Sequence, residues 1–183
     1  MSNSKYVYSM IIAAAISSLI LIGLTNVYAA TEKSRAKLDG NNEIPPTTSQ
    51  AEATINLKTN SEGDFVWKMN ITGITEPTGI HLHQGTSVEN GDVIVNLLEN
   101  SKSTEQPTGI FLRGNITKDI LEGSMQGKTI DDLKTAISSG NVYANVHTDA
   151  FPDGEIRGQL KMKGADESPD TMSTDTAESA GIQ

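Results

Sequence analysis

The sequence predicts a mainly β fold, a Greek-key antiparallel β-sandwich with one short helix. Apolar and polar residues alternate in several short runs, turn-forming residues separate those runs, and one segment alone has helical spacing. There is no internal repeat of roughly 20–50 residues, which argues against solenoids and propellers.

Four segments are predicted along the chain. They are a signal peptide at 1–29, a short polar lead-in at 30–35, the sandwich domain at 36–163 and an acidic tail at 164–183. The tail contains five acidic residues, no basic ones and no apolar periodicity. We therefore expect it to be disordered.

The N-terminal segment has the pattern of an export signal. Lys5 precedes the apolar run Met10–Leu24, and small residues around Ala29 resemble a cleavage site. An uncleaved membrane anchor is the alternative, because the apolar run approaches the length that spans a bilayer. We expect a secreted or cell-surface protein, anchored in the membrane only if this segment is retained.

Two alternating runs near the start of the domain predict a hairpin. Ala51–Lys58 and Asp64–Ile71 flank a turn at Asn60–Gly63, and a further turn precedes them at Leu38–Pro46. The second run directs Trp67, the only tryptophan, toward the apolar side, so we expect it to be buried between the sheets.

The remaining elements follow from the same alternation. Further strands are predicted at Thr78–Gly85, Asp92–Leu98, Gly109–Ile116, Asn141–Thr148 and Glu155–Met162. Polar, turn-rich composition predicts loops at Glu99–Pro107 and Asp149–Gly154. Thr129 is placed to cap a helix, and Gly140 to end it. The apolar stripe of that helix consists of Ile130, Leu133 and Ile137.

All three histidines fall in two of these strands. His81 and His83 alternate with apolar residues, so both imidazoles project from one face, about 7 Å apart. His147 lies on the outward side of its own strand. Imidazole is a good ligand for zinc and copper, so His81, His83 and His147 are candidate metal ligands. The alternative is that all three lie on a wet strand surface, hydrogen-bonded to loop backbone.

Composition excludes several classes of site. A net charge of −9 and a pI near 4.7 give no electrostatic footprint for nucleic acid. Cysteine is absent, which removes disulfides, thiolate ligands and a cysteine nucleophile. No nucleophile–base set is recognisable, so no catalytic residue is predicted. We expect a structural role for Arg157, in a bidentate pair with Glu43 or Glu155.

Four stretches, in this order, resemble the CHRD domain. They are Leu38–Pro46, Thr78–Gly85, Asn90–Leu97 and Tyr143–Leu160, and the resemblance extends from about Ala36 to Lys161. It implies an extracellular β-rich module. A single such domain, without the cysteine-rich repeats of chordin, does not imply antagonism of growth factors.

A weaker resemblance concerns the histidine strand alone. The spacing of His81 and His83 is similar to the copper-ligand strand of Cu/Zn superoxide dismutase, and the expected sandwich is immunoglobulin-like or superoxide-dismutase-like. That enzyme also uses further histidines, an aspartate and a disulfide. Three histidines without cysteine are compatible with a single copper or zinc site.

We therefore expect an exported, non-enzymatic module that binds an extracellular protein or a glycan. The alternative is a copper- or zinc-binding protein that uses the three histidines, with superoxide-dismutase-like redox activity as its extension.

Overall fold

The structure is a computed structural model that describes residues 31–107 and 109–163. The predicted signal peptide at 1–29 and the predicted tail at 164–183 lie outside the described residues. Among the described residues, no helix has both the length and the apolar character needed to cross a membrane.

The described residues form ten strands and one α-helix. The strands are β1 (Lys33–Asp39), β2 (Glu52–Thr59), β3 (Phe65–Thr72), β4 (Gly79–Gln84), β5 (Val93–Asn96), β6 (Ser101–Gln106), β7 (Gly109–Ile116), β8 (Val142–Thr148), β9 (Phe151–Gln159) and β10 (Lys161–Met162). The helix, α1, spans Ile130–Ser138, and single 3-10 turns lie at Gly40–Asn42, Lys118–Ile120 and Gly123–Met125.

The strands follow one curled antiparallel path, β5-β4-β8-β9-β1-β2-β3-β7-β6, with β10 beside β1. β9 and β1 are joined through the pairing of Arg157 with Asp39. This narrow junction divides the path into a half that contains β4, β5, β8 and β9 and a half that contains β1, β2, β3, β6 and β7. Because connections cross between the halves and both enclose one apolar core, the predicted sandwich class is confirmed.

The first hairpin forms as predicted. β2 and β3 pair along their full length, and their inward residues are buried while their outward residues are not. Trp67 is 0% exposed and lies between the equally buried Phe65 and Met69 on β3. The inward register of the tryptophan strand is therefore confirmed.

Helix α1 begins at the predicted cap. The Thr129 hydroxyl accepts a hydrogen bond from the Asp132 backbone N–H at 3.1 Å, and the Asp132 carboxylate accepts one from the Thr129 backbone N–H at 2.8 Å. This reciprocal pair satisfies two N–H groups that the helix itself leaves free. The helix buries the predicted stripe of Ile130, Leu133 and Ile137.

Three segments expected to be irregular are strands instead. β1 includes Lys33–Arg35, which was expected to be lead-in; its first buried position is the polar Ser34, which weakens the apolar alternation. β6 replaces the loop expected at Glu99–Pro107, because an edge strand with exposed side chains needs no apolar face. β9 begins at Phe151, and an irregular register between Val146 and Thr148 accommodates the expected turn residues.

The two halves differ in their outer faces. On β2 and β3 buried positions alternate with exposed or half-buried ones, whereas β4, β8 and residues 154–158 of β9 have consecutive buried positions. Loops cover the outer side of that second half: Arg157 donates to the Glu89 carbonyl, and Thr47 donates to the Glu155 carbonyl. Polar side chains of β4, β8 and β9 are consequently enclosed, and the candidate site lies among them.

Candidate metal-binding site

The site is built where β4 and β8 pair in antiparallel register. His81 lies opposite Asn145, His83 opposite Tyr143, and Gly79 opposite His147. Since paired residues share a face of the sheet, all three histidines project from the same side.

Gly79 leaves the space in which two of the rings meet. A Cβ atom at this position would lie 2.8 Å from Cε1 of His81 and 3.4 Å from Cδ2 of His147. Real Cβ atoms almost never approach to the shorter of these distances, so any larger residue would displace the His81 ring. Glycine at 79 thus shapes the cluster without contributing a ligand atom.

The structure brings the three candidate ligands together. Ring centroids of His81 and His147 are 4.9 Å apart, those of His81 and His83 are 5.6 Å apart, and those of His83 and His147 are 5.9 Å apart. One ligand nitrogen from each ring lies within 4.8 Å of the other two.

Hydrogen bonds to backbone carbonyls set the tautomer of two rings. Nδ1 of His83 is 2.9 Å from the Gly91 carbonyl oxygen, and Nδ1 of His147 is 2.9 Å from the Pro152 carbonyl oxygen. A carbonyl only accepts, so each Nδ1 must carry the proton, which leaves Nε2 with a free lone pair. This is the arrangement by which protein backbone orients histidine ligands around metals.

Three buried ring nitrogens lack a hydrogen-bond partner within the described part of the chain. They are Nδ1 of His81, Nε2 of His83 and Nε2 of His147. Buried polar atoms are normally paired, because leaving one unpaired costs about 1–3 kcal/mol. Three such atoms meet in one cluster, so the described residues leave one nitrogen of each ring without a hydrogen-bond partner there.

Burial also favours the neutral form of two of the imidazoles, those of His81 and His83. It lowers the pKa of His81 to about 4, and the nearby His147 and His83 lower it further. Burial lowers the pKa of His83 as well, although its hydrogen bond to Gly91 opposes the change. Neutral imidazole is the form that binds metal, so these rings do not have to lose a proton at neutral pH.

A second layer holds His83 in place. The Tyr143 ring stacks on His83 with centroids 4.8 Å apart and planes 8° apart, and Cζ of Arg157 lies 3.5 Å from the Tyr143 ring centroid. The Gly91 backbone N–H donates to the Tyr143 hydroxyl at 3.2 Å. The same residue, Gly91, therefore supports His83 both through its carbonyl and through this tyrosine.

Arg157 does not form the bidentate pair expected from the sequence. Its guanidinium donates to Asn90 Oδ1 at 2.6 Å and to the carbonyls of Thr86 and Glu89. Glu155 instead accepts hydrogen bonds from Ser49 and Thr148, at 2.6 Å each. The loop after β4 presents several acceptors to the planar fork of Arg157, which holds that loop over the site.

A buried carboxyl group lies beyond Asn145. Glu43 is 5% exposed, and its Oε1 and the Asn145 Oδ1 have no hydrogen-bond partner among the described residues. Burial raises the pKa of Glu43 to about 7, while Arg157 and the Ile44 backbone N–H lower it. Tyr143 and Asn145 alternate with apolar residues on β8, as His147 does, and the sequence analysis assigned them no role. This shared face is the signal that links them to His147.

The CHRD domain family model matches residues 34–160, which is more than two thirds of the chain. The chain belongs to the CHRD domain family. CHRD domains are in general extracellular binding or surface modules. No curated protein and no solved structure matches the chain.

In this CHRD domain the three histidines come from two of the stretches that carry the family resemblance, Thr78–Gly85 and Tyr143–Leu160. Likeness to Cu/Zn superoxide dismutase goes no further than the three-histidine cluster within the described residues.

Proposed function

We propose that this CHRD domain is an extracellular module that binds one zinc or copper ion through His81, His83 and His147. The observation that carries the proposal is the convergence of three buried, unpartnered ring nitrogens, one from each histidine.

The spacing of the rings supports a single shared ion. Ligand nitrogens at about 2.0–2.1 Å from a tetrahedral ion are separated from one another by roughly 3.4 Å. The largest separation here, 4.8 Å, requires only a small inward movement of the rings. The alternative of a wet strand surface with histidines bonded to backbone agrees with the hydrogen bonds of His83 and His147 to carbonyl groups. It does not account for the one buried nitrogen of each ring that has no partner among the described residues.

The donor set narrows the choice of metal. Imidazole suits zinc and copper, and the chain has no cysteine to add a thiolate. Three ligands leave a fourth coordination position open for water or for a group from a partner. His81 and His147 are only half-buried, so this position is within reach of solvent.

Titration of the purified, metal-free protein with zinc and, separately, with copper tests the proposal. We expect one ion per chain, and a loss of affinity of at least about tenfold in His81→Ala, His83→Ala and His147→Ala. Thr78→Ala, an exposed change beside the site, is the matched control and should bind as the parent does. Equal binding by the parent and all three histidine variants would refute the proposal.

Redox activity is a separate question for the copper-loaded form. The fourth position would have to admit superoxide and the ion would have to cycle between oxidation states. A dismutase assay on copper-loaded parent and His147→Ala decides it. Activity that is present in the parent and lost in the variant would extend the proposed function; inactivity would restrict the site to binding.

We also propose that the chain is exported and cleaved after Ala29. The extracellular character of CHRD domains and the pattern of the first 29 residues support this. The intact mass of the exported protein provides the test, since retention of residues 1–29 would indicate an anchor instead.

A further inference from the structure

The outer face of the half that contains β1, β2, β3, β6 and β7 concentrates positive charge. Eight exposed basic residues on these strands and on β10 form a surface that we name the basic face. They are Lys33, Arg35, Lys37, Lys58, Lys68, Lys102, Arg113 and Lys161. They account for eight of the 14 lysines and arginines of a chain whose net charge is −9.

The register of the strands places like charges directly opposite each other. Lys33 pairs with Lys58, Lys161 pairs with Arg35, and Arg113 pairs with both Lys68 and Lys102. Directly opposed like charges destabilise a sheet. Arg35, Lys68, Arg113 and Lys102 thus belong to one row that crosses five strands, a distance of about 19 Å at the usual strand spacing.

The described residues do not neutralise this row. Within residues 31–107 and 109–163, none of the eight side chains has a carboxylate within salt-bridge distance; the ion pairs there belong to Lys134. The acidic residues of the same face, Asp39 and Glu52, pair with each other at the opposite end of the strands from Lys33 and Lys58. The repulsion therefore destabilises the unbound protein, and an anionic partner would remove it.

Two shallow grooves on the basic face meet at Lys68, within the row. One, of about 500 Å³, is lined by Lys33, Lys58 and Lys68, and the other, of about 580 Å³, by Lys68, Lys102 and Arg113. They adjoin because both include Lys68 and Val66. The exposed amide of Asn56 lies between Arg35 and Lys68 in the row, and that of Asn70 lies two residues from Lys68 along β3. Both amides can bond to hydroxyl groups.

We propose that the basic face binds an acidic extracellular polysaccharide, a chain of sugars that carries carboxylate or sulfate groups. One small anion can contact only neighbouring cations of this row, whereas a polymer can place successive charges along all of it. Amides beside the cations match the hydroxyls between those charges. The extracellular character of CHRD domains places such polymers within reach.

Other anionic partners fit the face less well. Nucleic acid bound as a single strand stacks its bases on aromatic rings, but Phe111, half-buried, is the one aromatic side chain on the described part of this face. Membrane surfaces accept apolar side chains, but the exposed large apolar residue of the described chain, Val88, lies outside these strands. A sugar polymer needs neither feature.

Binding of polygalacturonate and dextran sulfate to the purified metal-free protein tests the inference, with neutral dextran as the blank. We expect both acidic polymers to bind at low ionic strength and to dissociate as salt is added. The double variant Lys68→Gln, Arg113→Gln should bind them about tenfold more weakly. The matched control is Lys118→Gln, Lys128→Gln, which removes the same charge from exposed positions elsewhere and should bind as the parent does.

The outcomes separate the alternatives. Equal weakening in both double variants would show attraction to net charge alone and would overturn the proposal. So would absence of binding, or tighter binding to single-stranded DNA or to vesicles of phosphatidylglycerol than to either polymer. Because the metal-free protein is used and all three histidines are retained, failure here leaves the proposed metal site untouched.

Discussion

The two halves of the sandwich treat polar side chains in opposite ways. The half with β2 and β3 exposes most of its polar side chains, with Ser34 and Thr59 as buried exceptions, whereas the half with β4, β8 and β9 buries several polar side chains under loops. His83, Asn145, Arg157 and Glu43 are each at most 8% exposed. On β2 and β3 the outward cations Lys58 and Lys68 are exposed.

This difference shows where stability and function are located. Burial of apolar surface stabilises a fold, while burial of polar groups costs free energy unless each finds a partner. The half with β2 and β3 therefore serves mainly as core and as an exposed charged surface. The half with β4, β8 and β9, which loops cover, holds the unpartnered histidine nitrogens in defined positions, as a specific binding site requires.

The largest expected effect is on stability and comes from the core of the half with β2 and β3. Trp67→Ala should lower the free energy of unfolding by about 3–5 kcal/mol, because it removes a large, fully buried ring. Urea unfolding followed by circular dichroism measures it. A loss below about 1 kcal/mol would contradict the assignment of core stability to this half.

Replacing an arginine should lower stability in the half with β9 and leave it nearly unchanged in the half with β7. Arg157→Met should destabilise the protein by about 2–4 kcal/mol, because the loop acceptors of the buried guanidinium would be left unpaired. Arg113→Met, on the basic face, should change stability by no more than about 0.5 kcal/mol. Thermal unfolding of both variants compares them, and similar losses would remove the distinction between the halves.

The buried carboxyl group predicts a pH dependence of stability. The pKa of Glu43 is about 7 when folded against 4.5 for the unperturbed group, so its stabilising contribution is complete below about pH 4.5 and is lost as pH rises through 7. Allowing for solvent screening, Glu43→Gln should remove a dependence of about 1–2 kcal/mol.

Unfolding free energies of the parent and of Glu43→Gln at pH 5 and pH 8 measure this effect. The exposed change Glu52→Gln is the control and should leave the pH dependence intact. A parent that becomes more stable between pH 5 and pH 8 relative to Glu43→Gln would show the opposite sign.

A smaller effect on zinc affinity should show whether the position of the His81 ring matters when all three histidines are present. Gly79→Ala retains all three histidines but forces the His81 ring away from the added Cβ atom. We expect zinc affinity to fall by about tenfold, with stability changed by less than about 1 kcal/mol. Calorimetric titration beside Thr78→Ala provides the comparison, and unchanged affinity would show that Gly79 does not position the ring.

Much of this fold was predictable because apolar and polar residues alternate regularly in the half with β2 and β3. The hairpin of β2 and β3, the burial of Trp67 and the Thr129 cap follow from local sequence, since each depends on period or on residues three apart. β6 was missed because an exposed edge strand has no apolar face. β9 was placed four residues late because Pro152 and Gly154 resemble a turn.

The site was predictable only in part. Alternation placed the three histidines on common faces, but the pairing of β4 with β8 that joins them depends on tertiary register. The Gly91 carbonyl and the partners of Arg157 come from a loop whose path the sequence does not specify. The Tyr143 stack and the Pro152 carbonyl depend on how β8 pairs with β4 and β9. The same applies to the basic face, whose row exists only when five strands are in register.

X-ray absorption at the zinc edge of the zinc-loaded protein tests the central claim most directly. Our account predicts a first shell that contains three imidazole nitrogens at about 2.0–2.1 Å and one further ligand, such as a water oxygen, in the open position. His147→Ala should reduce the imidazole count by one. A first shell of oxygen ligands alone, or a spectrum unchanged by that substitution, would contradict a site formed by His81, His83 and His147.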